Sequence, residues 1–318
     1  MPERTIAMRK PRLLVIGNTN MDFVCVAERF PAVGETLFSA GDYFLCADGK
    51  GANAALCAAR LGADAVLCTG VGADSNGRKI ADSLEKEKID TRFVFFDNEQ
   101  KTDFSMIFRE PGEKKRTVRF PGAGASLSVD HAEEAFTCYP DALLLACDVI
   151  PEIVYYGVQK AKEQKIPAIL NLAPAQTELD PSSIDACEII TSGEDEIAYY
   201  TDIAPTSAEN ALRAAIKLSA LIHTKYVVIR LGKRGAFVYD GLHQELIPAL
   251  DVRAVDTTGA GEAFTSSLAV RYMQNGGNIS DAARFAVCVS AYSVLKSGEA
   301  SFPTVKELEE FINRYNNR

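Results

Sequence analysis

Tryptophan is absent from these 318 residues, and histidine occurs only three times. His131, His223 and His243 lack the spacing of metal ligands, so surface or loop positions are expected for them. The eight cysteines, at 25, 46, 57, 68, 138, 147, 187 and 288, form no C-x-x-C pair. That excludes a zinc ribbon or dithiol motif, and their apolar surroundings suggest free thiols in a reducing compartment. A cytoplasmic protein without a structural metal is therefore expected. Long apolar runs are missing too: "LLVIG" (13–17) has strand length, far short of a spanning helix or a signal core. Positive charge is in deficit, with 34 Lys and Arg against 43 Asp and Glu. A net charge of −9 excludes a basic nucleic-acid scaffold but leaves room for a local pocket that takes a small phosphate compound. Neither nucleic acid nor a membrane is an expected partner.

What the chain does have is ordinary globular composition, with 47% hydrophobic and 24% charged residues. Strand-like and helix-like stretches alternate. "RLLVIGN" (12–18), "DAVLCTGVG" (64–72), "ALLLACDV" (142–149), "IPAILNLA" (166–173), "CEIITS" (187–192) and "KYVVIRLG" (225–232) are continuous apolar runs, as buried parallel strands are. Between them lie helical patterns, as at 51–63, 75–89 (with a Ser or Asn start), 152–164 and 207–221. From 259 onward the chain reads as three helices, ending near 274, 296 and 316. The alternation predicts an α/β fold with a doubly wound, mostly parallel sheet flanked by helices. Residues 1–318 are expected to form one domain. Two stretches break the rhythm, 35–47 and 92–120, the latter with a hairpin turn at "EPGEKK". Parts of 20–47 and 92–120 are expected to build a small β-sheet lid.

One short segment, "DTTGAGEAF" (256–264), stands out. Three small residues, Gly259, Ala260 and Gly261, open a helix just ahead of the acid Glu262. Small residues admit close backbone approach, and unpaired first-turn N–H groups attract anions. An acid in a first turn also suits the helix dipole, so the segment alone leaves a purely structural reading open. Standard nucleotide loops fail. A Walker A loop needs glycine where Phe44 and Val227 stand, and a dinucleotide fingerprint needs glycine at Phe264.

Taken with "DGKGANAA" (48–55), "GNTNMD" (17–22), "NLAPA" (171–175) and "IRLGKRGAFV" (229–238), the segment resembles the motif set of the ribokinase-like (phosphofructokinase-B type) carbohydrate kinases. The likeness spans nearly the whole chain and is strongest to the ribokinase branch. It implies phosphoryl transfer from ATP to a hydroxymethyl group of a small sugar, with ribose-like pentoses favoured. By that resemblance Asn20 and Asp22, on the turn after the first strand, bind sugar hydroxyls, and Gly49, Lys50, Asn53 and Asp148 complete the sugar pocket. Gly259, Ala260 and Gly261 become an anion hole, and Glu262 the base. The adenine and ribose of ATP are placed near "RLGKRG" (230–235), with Arg230, Gly232, Lys233 and Gly235, and near the loop around 293–299, and Thr257 is also assigned to the nucleotide. Glu196 is tied to Mg2+, and Asp256 and Thr258 to a monovalent cation such as K+. A homodimer through the lid is also implied.

Four positions depart from the family pattern. Glu262 stands for aspartate, Asp48 for the first glycine of the sugar motif, Gly193 for the asparagine of N-x-x-E, and Ser266 for a glycine. They keep a second reading in play: a catalytically impaired relative that binds sugar or nucleotide as a sensor or partner protein.

Overall fold

The computed structural model describes residues 9–110, 114–184, 187–296 and 301–317. Seven parallel strands form the middle of one large sheet: β1 (Arg12–Ile16), β4 (Asp64–Gly72), β5 (Asp90–Asp97), β8 (Ala142–Ala146), β9 (Ala168–Asn171), β10 (Ile189–Ser192) and β11 (Tyr226–Arg230). An antiparallel hairpin, β12 (Ala236–Tyr239) and β13 (Gln244–Ile247), closes one edge. The order is β13-β12-β11-β10-β9-β8-β1-β4-β5, so the winding reverses beside β1, where open α/β sheets leave a crevice at their carboxyl ends.

Side chains alternate along each strand and feed two cores. Leu13, Val15, Leu67 and Leu144 pack with α1 (Lys50–Arg60), α2 (Ser75–Lys86), α7 (Ala260–Gln274), α8 (Ile279–Ser293) and α9 (Val305–Asn316). Leu14, Ile16, Leu143 and Leu145 face the other way, against α3 (Val129–Ala135), α4 (Pro151–Gln164), α5 (Glu194–Thr201) and α6 (Ala208–Ile222). This is the expected doubly wound layering.

The lid is a separate sheet of β2 (Asn20–Val26), β3 (Tyr43–Asp48), β6 (Phe104–Glu110) and β7 (Lys114–Phe120), ordered β3-β2-β6-β7. Several details differ from the sequence expectation. Residues 92–97 belong to β5 at the edge of the central sheet, so the second half of the lid starts at Phe104. Residues 35–42 form no strand. Asn20 and Asp22 lie on strand β2 itself and not on the preceding turn, because pairing with β3 begins at Asn20↔Asp48. The cap of α2 is Asp74, whose carboxylate accepts from the Asn76 and Gly77 N–H groups. His131 is half-buried in α3, stacked on Phe95 at 4.1 Å. β6 and β7 pair as a hairpin through Glu110↔Lys114, while residues 111–113 of the expected turn lie outside the described residues. No helix among those residues is long and apolar enough to cross a membrane.

Candidate active site

The carboxyl ends of β1, β8, β10 and β11 converge on the amino ends of α1 and α7. Glycine makes the first contact possible. A Cβ on Gly49, which has φ +110°, would lie 2.6 Å from the Asn18 carbonyl oxygen, and one on Gly51 2.5 Å from that of Gly17. The start of α1 therefore presses on the β1–β2 turn, sealed by Gly51 N–H donating to Asn18 O at 2.9 Å. Lys50 is thereby aimed across the crevice, where its Nζ lies 2.8 Å from Oε1 of Glu262. Residues 212 positions apart thus form one ion pair. Glu262 is only 8% exposed, so the first-turn acid is buried. Burial alone would lower the Lys50 pKa, but the Glu262 charge and hydrogen bond outweigh it and raise the pKa.

Around this pair stand the other sugar-motif residues. Asp148, just beyond β8, accepts the Asn18 N–H at 3.1 Å, and burial pushes its pKa up to about 6. On β2, Asn20 donates to Asp22 and, at 3.3 Å, to Ser105 of the lid strand β6. Asp48 accepts from Asn53 at 2.6 Å, so this departure from glycine fixes the Asn53 amide. Asp48 also crowds Asp22: burial first, then the Asp48 carboxylate, pushes the Asp22 pKa up to about 7.

That shift has a sign that can be measured. An acid with a folded pKa above its unfolded value of about 3.9 stabilises the fold most below that value. The contribution is lost as pH rises toward the folded value of about 7. Asp48→Asn should therefore flatten the fall in thermal stability between pH 5 and 8 relative to the unmodified chain. Parallel melting curves for the two proteins across that range would overturn the assignment.

The second half of the site is the α7 amino end. Gly259 has φ +79° and precedes the helix, Ala260 N–H turns back to Thr257 O at 3.2 Å, and the first helical bond runs from Ala263 N–H to Gly259 O. The N–H groups of Gly261 and Glu262 thus precede the helical ladder, as first-turn N–H groups that can attract an anion do. A Cβ on Gly261 would lie 3.7 Å from Cζ of Arg230, so this guanidinium lies directly beside the turn. Nη1 of Arg230 donates to Asn171 (3.1 Å), Thr191 (3.3 Å) and Thr265 (3.0 Å). Burial lowers the Arg230 pKa, with the charges of Glu262 and Glu196 acting in the opposite direction.

A cavity of about 520 Å³ opens on the far side of this turn, within the range of small-molecule pockets. Arg230, Gly232, Lys233, Gly235, Thr257, Ala260 and Gly261 line it, so the residues expected to hold ATP are brought together. The segment 249–254 and α8, through Val287 and Ala291, supply apolar wall that the sequence expectation had not marked, and Val294, within the expected 293–299 loop, adds to it. Residues 297–299 of the expected adenine loop lie outside the described residues. Glu196 is not among the lining residues; its Oε2 accepts the Gly193 N–H at 2.9 Å. A Cβ on Gly193 would lie 2.4 Å from that oxygen, with Arg230 Nη2 3.6 Å away. A magnesium ion carried in by nucleotide keeps most of its waters, and the remaining acceptor capacity of Glu196 suits that shell. The fourth departure is structural: Ser266 donates to Ala54 O at 2.6 Å and ties α7 to α1.

Asp256 and Thr258 meet, but not as an open cation site. Thr258 N–H donates to Oδ1 of Asp256 at 2.9 Å, and Arg109 Nη1, from lid strand β6, lies 2.9 Å from Oδ2. Oδ1 is thus held by a backbone N–H, while Oδ2 is buried without a hydrogen-bond partner among the described residues and has only the Arg109 charge beside it, so a resident K+ ion at this oxygen would meet a guanidinium at contact distance.

Comparison with known proteins agrees with this geometry. The pfkB family of carbohydrate kinases matches residues 10–306. A ribokinase of Haemophilus influenzae is 32% identical over 96% of this chain and 99% of its own, and a deoxyribokinase of Salmonella typhi is 29% identical over 95% and 98%. Among solved structures, Arabidopsis thaliana ribokinase complexed with ribose and ATP superposes with a TM-score of 0.84 at 26% identity, covering 96% of this chain and 99% of that one. The glycine turn, the acid–lysine pair and the 520 Å³ cavity thus occur in a chain that belongs to the pfkB family of carbohydrate kinases.

Proposed function

We propose that residues 1–318 form a single kinase unit that moves the γ-phosphoryl group of ATP to a hydroxymethyl group of a small sugar, a ribose-like pentose being favoured. The observation that carries this reading is the position of Glu262. Its carboxylate sits on Lys50 at 2.8 Å, one turn residue from Gly261, between the sugar-motif side chains and the 520 Å³ cavity. Asn20 and Asp22 hold adjacent sugar hydroxyls, while Gly49, Asn53 and Asp148 shape the rest of the pocket. Lys50 orients Glu262 through their ion pair. The acceptor hydroxyl loses its proton to Glu262 as its oxygen bonds to the γ-phosphorus and the bond to the ADP oxygen breaks. The 259–261 turn and Arg230 face the charge that spreads over the transferred oxygens. Gly232, Lys233, Gly235 and Thr257 seat the rest of the nucleotide. Magnesium, when bound, neutralises phosphate charge, and Glu196 would meet its water shell.

ADP release measured against a panel of pentoses, deoxypentoses, hexoses and nucleosides tests this. The ribokinase and deoxyribokinase relatives make the 2-hydroxyl the first discriminator to examine. A pentose with the largest kcat/KM supports the reading. Silence across the panel from folded protein would defeat it, and ligand-induced thermal shifts without turnover would favour the sensor reading.

The lid also supports an assembly. Leu45, Phe23, Met106 and Val118 stand side by side across the four strands, and Leu45, Met106 and Val118 are 47%, 47% and 56% exposed. So apolar a row on one face of a thin sheet suits contact with a second copy of the lid. Light scattering should find a dimer, and Met106→Lys should give monomers. A monomeric unmodified chain at micromolar concentration would overturn the dimer.

A further inference from the structure

We propose that Arg109 is the built-in cation of this site: its guanidinium occupies the place beside Asp256 that a monovalent ion would take, and the reaction runs without K+. The inference rests on the kinase reading of the site. Its observations are separate from the phosphoryl-transfer residues. Arg109 lies near the end of lid strand β6, anchored there by pairing with Val26 and by Ala27 N–H donating to its carbonyl at 3.0 Å. From the lid it spans to Asp256, 147 positions later, and makes a 2.9 Å ion pair with an aspartate side chain that is 11% exposed. Thr258 N–H holds the other carboxylate oxygen at 2.9 Å. Asp256 carries one negative charge, and one fixed positive charge already balances it.

A second cation at this carboxylate would face a guanidinium at close range, with the partly buried setting reducing solvent screening. The guanidinium acts here through its charge, which is tethered to the lid strand and persists at any working pH. The consequence reaches the chemistry through the backbone. Asp256 and Thr258 lead straight into Gly259, and Thr257 O receives the Ala260 N–H at the anion turn. A fixed charge at Asp256 therefore sets the loop from which the first-turn N–H groups project. It also ties the lid to that loop, so lid position and turn geometry change together.

The test compares the unmodified chain with Arg109→Ala, Arg109→Gln and Arg109→Lys. Buffers contain either K+ or tetramethylammonium at equal ionic strength, with ATP supplied as its tetramethylammonium salt. The unmodified chain and Arg109→Lys should show melting temperatures and turnover within about twofold in the two salts, since a binding ion must raise the melting temperature. Arg109→Ala and Arg109→Gln should melt higher in K+ than in tetramethylammonium. Their turnover in tetramethylammonium should fall at least about tenfold, as expected for a displaced catalytic turn, and recover in K+. Strong K+ activation of the unmodified chain would overturn the proposal. So would indifference to K+ in both neutral variants. If no variant turns over any sugar, the kinase reading fails, while the melting temperatures still decide whether Arg109 stands in for the ion.

Discussion

Glu262→Ala is expected to lower sugar phosphorylation by a factor of about 10²–10⁴, the range over which a positioned base accelerates proton transfer. The fold should survive. Glu262 is buried, but its partner Lys50 keeps a side chain 30% exposed, so losing the pair leaves an amine that water can still reach. A cost of about 1–2 kcal/mol, or a few degrees of melting temperature, follows for a chain of this size. Glu262→Gln separates the two effects further, since it keeps shape and hydrogen bonding but cannot accept the proton. It should be as inactive as the alanine variant and melt closer to the unmodified chain. The aspartate variant is equally informative. The 2.8 Å contact with Lys50 shows a crevice fitted to the longer side chain, so Glu262→Asp should lose activity, by about a hundredfold for a shift near 1 Å. Turnover within tenfold of normal in Glu262→Ala would remove the base assignment altogether.

The parts of this site legible in sequence were those made by local chemistry. Gly49 and Gly51 could be read as motif glycines because only glycine lets α1 touch the β1–β2 turn. Gly259 was legible at α7 because its φ of +79° favours glycine, while Gly261 has room for a Cβ and was legible only as part of the motif. The continuous apolar runs gave the parallel strands, since strands buried on both faces need no alternation. Illegible were the contacts that only folding creates. Nothing in the spacing of Lys50 and Glu262, or of Arg109 and Asp256, says that they meet. The stretch "RFVFF" (92–96) looks alike as lid or sheet edge, and the main sheet won because β5 pairs in parallel with β4. The β12–β13 hairpin did carry a signal, Asp240-Gly241 between two apolar runs, which the sequence reading passed over. Asp74 was missed as a cap because Asp, Ser and Asn follow one another there and all three cap well.

Arg230→Met should reduce kcat by about 10²–10³, as loss of one preorganised donor to transition-state charge does elsewhere. The sequence resemblance put Arg230 near the adenine and ribose, whereas its guanidinium lies beside Gly261 at the start of α7, where the proposed mechanism puts the phosphates. Its Nη2 also lies 3.6 Å from the position a Cβ on Gly193 would take, behind Glu196 Oε2 at 2.4 Å. Structure and catalysis can be separated because the partners of Arg230 have other bonds. Thr191 and Thr265 hydroxyls lie 3.0 Å apart and bond to each other, and Asn171 Oδ1 also accepts the Ala173 N–H at 3.3 Å. Methionine fills similar volume without a buried charge, so stability should change by no more than about 1–2 kcal/mol in either direction. KM for the sugar should hold, because Arg230 faces the nucleotide cavity, while kcat falls. Arg230→Lys keeps charge but loses the planar fork, and should recover only part of the rate. A melting temperature that drops sharply while kcat stays within a few-fold would make Arg230 a scaffold residue and return the burden of phosphate charge to the first-turn N–H groups alone.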